Sequence, residues 1–318
     1  MTQPTATTPT TDLPDRAAWF TKLGDIGKAH GFFERIGARH TALYVQEGDT
    51  LLVTFDDAQH ALRPNHDGLP LGFDAVKQHE WSLLNITALD MTWFRDPDVF
   101  AFFDRLVDDD FFENFDQVVF MGGGEMCAYA AAAFSVTAPG ARVLCISPAA
   151  SLERSATPFE MRFRDKWRLN FTNRYGYAPD MLEGAAQAVV LYDPQDTMQA
   201  AQASLYRGKN ILKAQVRGVG STLFSLLEAD KDILIKLACS VEEGPTTTAI
   251  LSQNLRDFRR GSSGYLRKLL NNPKLRGHPK LALAVAHFGI ATTGQRHFKR
   301  QAAALTPKVE QPVVEAAD

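Results

Sequence analysis

The chain has 318 residues, of which 45% are hydrophobic and 22% are charged, so it can bury a sizeable core and build one large domain, or one domain with a smaller lobe. Its three cysteines, Cys127, Cys145 and Cys239, are widely spaced in apolar surroundings and predict neither a disulfide framework nor a cysteine-rich metal site. They favour a reducing compartment, and we predict a cytoplasmic protein. The formal net charge is only −3.

The first fifteen or so residues are rich in threonine and proline, and we predict a disordered tail over 1–15. This stretch has neither a basic start nor an apolar signal core, and no run of about 18 apolar residues follows it. We therefore expect neither export nor membrane insertion.

From about residue 40 the chain alternates short β-rich runs with longer helical patterns, which is typical of a layered α/β fold. Strands are predicted at 41–46, 50–55, 80–87, 117–121, 142–147, 187–193 and 210–216. The first two are predicted to form a hairpin that turns at 47–49. Helices are predicted over 96–112, in the alanine-rich stretch after Gly124, over 197–206 and over 221–239.

Fully apolar runs such as 118–121 suit strands that are covered on both faces. We therefore predict an α/β domain over 16–243, with a mostly parallel sheet and flanking helices. Beyond Gly244 the β signal ends, which predicts a small basic helical lobe over 244–303 and a disordered tail over 304–318.

The stretch VVFMGGGEMCAYAAAAF, Val118 to Phe134, begins as an apolar strand, passes through three glycines and continues as a helix. It resembles the nucleophile elbow of the α/β-hydrolase superfamily, and the resemblance covers about residues 40 to 240. In that superfamily a G-x-S-x-G turn presents the nucleophile above the sheet, and backbone N–H groups bind the developing oxyanion. The resemblance places Glu125 at the nucleophile position and implies Asp193 or Asp196 as the triad acid.

The base of such a triad is missing from its expected place. The last predicted strand leads into VRGVGST, 216–222, and no histidine occurs between His79 and His278. We therefore predict a divergent or catalytically degenerate hydrolase-like protein that binds a small molecule or a protein at the elbow edge. An acyl or ester hydrolase with a rebuilt site is the alternative. The candidate ligand-binding residues are Gly123, Gly124, Met126 and Ser221.

Glu125 itself has two interpretations. A carboxylate in the first turn of a helix interacts favourably with the exposed N–H groups and the macrodipole, by about 0.3 to 1 kcal/mol, which favours a structural role. A glutamate held above a sheet edge can also act as a general base toward a bound substrate or water. The same carboxylate competes with an anionic ligand for this turn, and no Lys-Ser/Thr pair follows the glycines, so we expect no nucleotide cofactor.

Several phrases spread over nearly the whole chain resemble an uncharacterised bacterial family whose members are often labelled phosphoadenosine phosphosulfate reductase. The phrases include TLLVTF, TWFRD, FDQVVFMGGG, FTNRYGYAPDML and VLYDP. The resemblance implies such a reductase as a further alternative. True reductases of that class resemble S-G-G-K-D-S at the adenylyl-binding loop and carry a C-terminal E-C-G-L-H cysteine, and this chain has neither motif.

Charge is distributed unevenly along the chain. Residues 96–116 hold eight acidic residues against one basic, whereas 251–300 hold eleven basic residues against one acidic. We expect the basic segment to dock against the acidic one, in the same chain or in a homo-oligomer. We do not expect nucleic acid there, because the basic segment lacks the interleaved aromatic residues of a single-strand stacking platform.

The histidines at 278, 287 and 297 lie too far apart, without accompanying carboxylates, to predict a metal site, and we expect neither a metal nor a cofactor. The segment RYGYAPDML, 174–182, is predicted to be a packed surface loop, with a lid over the sheet edge as the alternative.

Overall fold

A computed structural model describes residues 16–63 and 67–310, so the predicted tail 1–15 and residues 311–318 lie outside the described residues. The chain divides into two compact units, Met1–Asp116 and Gln117–Asp318. The domain limits drawn from the sequence at 243 and 303 stay predictions.

Eight strands lie in the described part of the chain: β1 (Gly31–Ile36), β2 (His40–Val45), β3 (Thr50–Asp57), β4 (Ser82–Ala88), β5 (Gln117–Gly123), β6 (Arg142–Ile146), β7 (Gln187–Tyr192) and β8 (Ile211–Gln215). The helices are α1 (Arg16–His30), α2 (Ala58–Ala61), α3 (Phe73–His79), α4 (Pro97–Asp108), α5 (Gly124–Phe134), α6 (Ala178–Met181), α7 (Thr197–Leu205), α8 (Leu223–Glu228), α9 (Lys231–Glu242), α10 (Thr248–Gly261), α11 (Ser263–Leu270), α12 (Pro273–Arg276), α13 (Pro279–Thr293) and α14 (Arg296–Glu310).

The N-terminal unit orders its strands β1-β2-β4-β3; β1 is antiparallel to β2, β2 is antiparallel to β4, and β3 is parallel to β4. The predicted hairpin between 41–46 and 50–55 is therefore wrong, because β4 pairs with both of those strands. The short turn is a local hairpin signal, but Ser82 at the start of β4 binds it: its hydroxyl donates to Gly48 O at 2.8 Å and accepts from Glu47 N at 2.9 Å. Tertiary pairing overrides the local preference.

The C-terminal unit orders its strands β5-β6-β7-β8, and every pair is parallel. These are the strands that the apolar runs predicted, and β6 is buried along all but its first residue. Every element after Gly244 is a helix in the described residues. The predicted fold class, an α/β fold with a mostly parallel sheet and flanking helices, is confirmed.

Three helical predictions differ from the structure. The helix expected over 96–112 ends at Asp108. The helix expected over 221–239 is two helices, α8 and α9, because the side chain of Asp230 accepts from Ile233 N and begins a new helix there. Helix α14 continues to Glu310, so the predicted start of the C-terminal tail at 304 lies inside a helix. This helix packs on α13 through Phe298, which is fully buried against Gly289.

Within residues 16–63 and 67–310, no helix combines the length and the apolar character that crossing a membrane requires.

Candidate functional site

The turn between β5 and α5 has the shape of an elbow but carries no side chain at its strained residue. Gly123 is extended, with φ −127°, and Gly124 begins the helix at φ +77°. In an elbow the nucleophile occupies the strained position of the turn. The positive φ lies at Gly124, and Glu125 is the following residue.

Each of the three glycines meets a different constraint. A Cβ on Gly122 would lie 2.2 Å from the carbonyl oxygen of Cys127, and one on Gly123 would lie 2.0 Å from the Phe224 ring. A Cβ on Gly124 would meet nothing within 4 Å, so only its positive φ disfavours a side chain there. Gly122 therefore permits close packing of α5 on β5, Gly123 makes room for the Phe224 ring of α8, and Gly124 permits the turn.

Glu125 is held in an ion pair. Its Oε1 accepts from Arg162 Nη1 at 2.6 Å, and both side chains are partly exposed, at 24% and 31%. The same guanidinium binds Glu160 through two nitrogens, with Nε at 2.9 Å from Oε1 and Nη2 at 2.7 Å from Oε2. Arg162 thus bridges a partly exposed carboxylate at the elbow and a fully buried one.

The Glu160 carboxylate is fully enclosed and fully satisfied. Its side chain is 0% exposed, and its oxygens also accept from Arg162 N at 3.1 Å and from Gln202 Nε2 at 3.0 Å. Burial opposes its ionisation, but the hydrogen bonds from Arg162 and Gln202 outweigh burial and hold the pKa of Glu160 below its ordinary value. The cluster is therefore built to keep Glu160 charged at neutral pH.

The irregular segment 148–177, here called the cap segment, is fixed to the helices beneath it. The Tyr206 hydroxyl donates to Ala149 O at 2.7 Å, and Gln202 Oε1 accepts from Ala150 N at 2.8 Å. Near its far end, Ser151 Oγ donates to Gly176 O at 2.7 Å. Tyr175 is only 7% exposed, so these contacts favour the packed loop over the lid.

Asp193 follows β7 and is buried, at 1% exposed. Its Oδ2 accepts from Val219 N and from Gly220 N, each at 2.7 Å, and its Oδ1 accepts from Gln195 N at 2.8 Å. The loop after β8, where the base of a triad was expected, is thus attached to the acid through its backbone. These bonds use the carboxylate as a structural acceptor.

A buried amide connects the ends of β6 and β7. Gln199 Oε1 accepts from Ser147 Oγ and from Asp193 N, each at 3.0 Å. Ser147 has φ +58°, an uncommon conformation for a residue other than glycine. Asp196, the second candidate acid, caps α7 by accepting from Met198 N and Gln199 N.

A cleft of about 480 Å³ lies at the carboxyl ends of β7 and β8. It is lined by Asp193, Gln195, Asp196, Gly218, Val219, Gly220, Ser221, Lys268, Asn271, Asn272 and Pro273. The structure thus brings three predicted site residues, Asp193, Asp196 and Ser221, to one cleft. The other predicted site residues, Gly123, Gly124, Glu125 and Met126, lie together at the elbow, where Met126 is buried. The roles assigned to all of them stay predictions.

Sequence reasoning missed the polar residues that support the elbow and the sheet edge. They are Glu160, Arg162, Gln199 and Gln202. Glu160 and Arg162 stand two residues apart in an irregular stretch, where no periodic pattern predicts burial. A glutamine on a predicted helix carries no signal for burial either. The opposite charges of Glu160 and Arg162 in the stretch FEMR, 159–162, are the one sequence feature that could have indicated this cluster. No group of three or more His, Cys, Asp or Glu side chains in the described part of the chain could hold a metal ion.

No family model matches the chain, and no curated protein matches it. Among solved structures it is similar to a hyperthermophilic esterase from the archeon Pyrobaculum calidifontis, with 14% identity over 74% of this chain and 95% of that one and a TM-score of 0.43. It is also similar to Est1E from Butyrivibrio proteoclasticus, with 11% identity over 70% of this chain and 98% of that one and a TM-score of 0.41. A third similar structure is the capsule O-acetyltransferase of Neisseria meningitidis serogroup A, with 12% identity over 64% of this chain and 93% of that one and a TM-score of 0.42.

The strand orders of the two units, with the glycine elbow after β5 and the buried acid after β7, decide the fold. It is α/β-hydrolase-like. Every one of these TM-scores is below 0.5 and every identity is below 25%, so the similarities carry no argument about the fold or the function. None of the comparisons supports the reductase name that the sequence resemblance suggested.

Proposed function

We propose that this protein is a non-hydrolytic member of the α/β-hydrolase fold that binds a small polar molecule at the carboxyl edge of its parallel strands. One observation carries the proposal: the strained residue of the elbow is Gly124, which has no side chain to serve as a nucleophile. Nucleophilic catalysis in this fold depends on a side chain at that position.

The other two triad roles support the same proposal. Asp193 accepts from the backbone of Val219 and Gly220, so it binds the loop itself and not a histidine on that loop. Glu125, which a rebuilt site would use as its base, is held by Arg162 at 2.6 Å. That bond occupies one of the two carboxylate oxygens of Glu125 and ties the side chain to Arg162.

Binding is favoured at the cleft that contains Ser221. In open parallel sheets, ligands bind in the crevice outside the carboxyl ends of the strands, which is where this cleft lies. Its lining combines the carboxylate of Asp196, the hydroxyl of Ser221 and the ammonium of Lys268 with carboxamides. Such a lining suits a molecule with several polar groups more than an apolar acyl chain.

The experiment separates this proposal from the rival, an acyl or ester hydrolase with a rebuilt site. Purified protein is incubated with a fluorophosphonate probe and with p-nitrophenyl esters of increasing chain length. We expect neither covalent labelling nor turnover above the rate of buffer. Labelling at a residue of the elbow or the cleft, or turnover that is lost in Glu125→Gln, would establish the hydrolase instead.

Binding is tested separately by native mass spectrometry of the protein as purified, followed by extraction and identification of small molecules. The variant Ser221→Trp fills the cleft and should lose the bound mass. Ser204→Trp, at another exposed serine, is the matched control and should keep it. A mass retained equally by both variants would place the ligand outside the cleft and overturn this part of the proposal.

A further inference from the structure

The cap segment carries a surplus of positive charge. Residues 153–174 hold six basic and three acidic residues. Two of the acids have basic partners within the segment: Glu160 is bound by Arg162, and Asp165 lies 3.1 Å from Lys166. The remaining cations of the segment are Arg154, Arg164, Arg168 and Arg174.

Aromatic residues are interspersed among the cations of residues 162–175, in the stretch RFRDKWRLNFTNRY. Three guanidinium groups lie over rings: Arg154 over Trp167 at 4.6 Å, Arg162 over Phe163 at 5.2 Å and Arg174 over Tyr175 at 5.5 Å. Such contacts hold the guanidinium plane in place at an exposed site. Arg154 is therefore partly ordered against the Trp167 ring before any partner arrives.

This surface is both accessible and fixed. Arg154, Arg164 and Arg168 are exposed, and the Trp167 ring is partly exposed. Beneath them the segment is anchored by the buried Glu160 carboxylate, which binds both Arg162 and Gln202. A long segment that is irregular apart from a 3₁₀ turn at Arg164–Lys166 is uncommon inside a compact unit unless it is functional, and a preordered group binds at a lower entropic cost.

We propose that the cap segment binds single-stranded nucleic acid, with Arg154, Arg164 and Arg168 on the phosphates and Trp167 beside a base. Proteins that bind single strands combine a cationic track with aromatic rings on which bases stack. The basic segment 251–300 lacks the second feature, whereas the cap segment has both. An acidic protein is the competing partner, and competition by polyglutamate distinguishes it from nucleic acid. This site is distinct from the cleft proposed above, and either one can hold without the other.

The test measures the fluorescence anisotropy of a labelled uridine oligonucleotide of about twenty residues, long enough to cover one single-strand site. Binding should weaken as salt rises, and three phosphate contacts give a slope of about −2 in log affinity against log salt. The variant Arg154→Gln/Arg164→Gln/Arg168→Gln should bind at least about tenfold more weakly and lose most of that slope. The matched control removes the same charge from α10, as Arg256→Gln/Arg259→Gln/Arg260→Gln, and should bind within about twofold of the unmodified protein.

The ring contribution is tested by Trp167→Ala, which should weaken binding about tenfold and leave the salt slope unchanged. Trp167→Phe retains a ring and should restore most of the affinity. The thermal midpoint of each variant shows whether it is folded, and none of these substitutions touches Glu125, Glu160 or Arg162.

Three results would overturn the proposal. The first is no binding at low salt. The second is binding that is lost in the α10 variant and kept in the cap variant. The third is binding that Trp167→Ala does not change and that polyglutamate competes for as well as unlabelled oligonucleotide does, which would assign the surface to an acidic protein partner.

Discussion

The Oδ2 atom of Asp193 accepts a hydrogen bond from the backbone N–H of Val219 at 2.7 Å. The residue thus joins the end of β7 to the loop after β8 in a buried place, where water does not compete for the bond. Hydrogen bonds to a charged acceptor are among the stronger ones in proteins. In a hydrolase triad an acid orients a histidine. The Asp193 carboxylate instead shapes the backbone of the loop after β8.

Asp193→Asn tests this structural role. The substitution keeps the shape, but its amide has only one acceptor oxygen for donors that approach both carboxylate oxygens. We expect the free energy of unfolding to fall by about 2 kcal/mol, measured by urea denaturation. The matched control, Asp180→Asn, changes an exposed aspartate on α6 and should have little effect. Equal stability of the two variants would show that Asp193 does not anchor the loop.

The sequence predicted the parallel strands of the C-terminal unit well because burial on both faces demands continuous apolar residues, as in Val189, Val190 and Leu191. It predicted β2, β3 and β4 of the N-terminal unit but not their pairing, because β4 joins β2 and β3 from more than thirty residues away along the chain. Strand pairing between distant segments leaves no local signal, so the turn at Gly48 gave a hairpin that does not exist.

The candidate site shows the same limit. The glycines of the elbow could be found from the sequence, because a strand followed by glycines and a helix is a local pattern. Whether Gly124 or Glu125 is the turn residue depends on which of them has the positive φ, and the neighbouring residues in the sequence do not determine that angle. The contact between Arg162 and Glu125 spans a loop of irregular structure, and periodicity carries no information there.

The elbow glycines predict a graded response to alanine. Gly122→Ala places Cβ 2.2 Å from a backbone oxygen that cannot move away, and we expect a loss of more than about 3 kcal/mol or failure to fold. Gly124→Ala meets open space and should lose only about 1 to 2 kcal/mol, because of its positive φ. Gly184→Ala, a glycine with open space and no positive φ, is the control and should be close to neutral.

The measurement is the urea midpoint of each variant, with the fold checked by circular dichroism. A Gly124→Ala variant as damaged as Gly122→Ala would contradict the open space above the elbow. A neutral Gly122→Ala variant would contradict the close approach of α5 to β5.

His40 predicts a pH dependence in the N-terminal unit. Its ring is fully buried, with Nε2 2.7 Å from Thr92 Oγ1 and Nδ1 3.5 Å from Asp96. Burial, helped by the nearby Arg39, lowers the pKa of His40 to about 4 from an ordinary value of 6.5. The unfolded chain therefore binds a proton between these values when the folded chain does not, so stability is full above pH 6.5 and falls as pH drops toward 4.

The loss over that window is at most about 3 kcal/mol, since each unit of pKa difference corresponds to about 1.4 kcal/mol. We expect His40→Gln to flatten the dependence of the urea midpoint on pH between 6.5 and 4. His287→Gln, at an exposed histidine on α13, should keep the slope of the unmodified protein. A slope that survives in His40→Gln would assign it to other groups.

The ion cluster at the elbow predicts an order of severity that follows burial. Glu125→Gln breaks a partly exposed pair and should cost no more than about 1 kcal/mol. Arg162→Met leaves the buried Glu160 carboxylate with Gln202 as its remaining side-chain partner and should cost about 3 to 5 kcal/mol. The double variant Glu160→Gln/Arg162→Met buries no charge and should be more stable than Arg162→Met alone.

The pH response of the same variants tests the cause. In the unmodified protein the pKa of Glu160 is held below its ordinary value of 4.5, so its contribution is full above that pH and is lost as pH falls through the lowered value. In Arg162→Met, burial acts with less opposition and favours the protonated acid, so this variant should recover stability relative to the unmodified protein as pH falls below about 5. Urea midpoints at pH 7, 5 and 4 measure the stability of the unmodified protein and of Arg162→Met. A gap between the two proteins that stays constant over this range would show that Arg162 stabilises the elbow by packing and not by its charge.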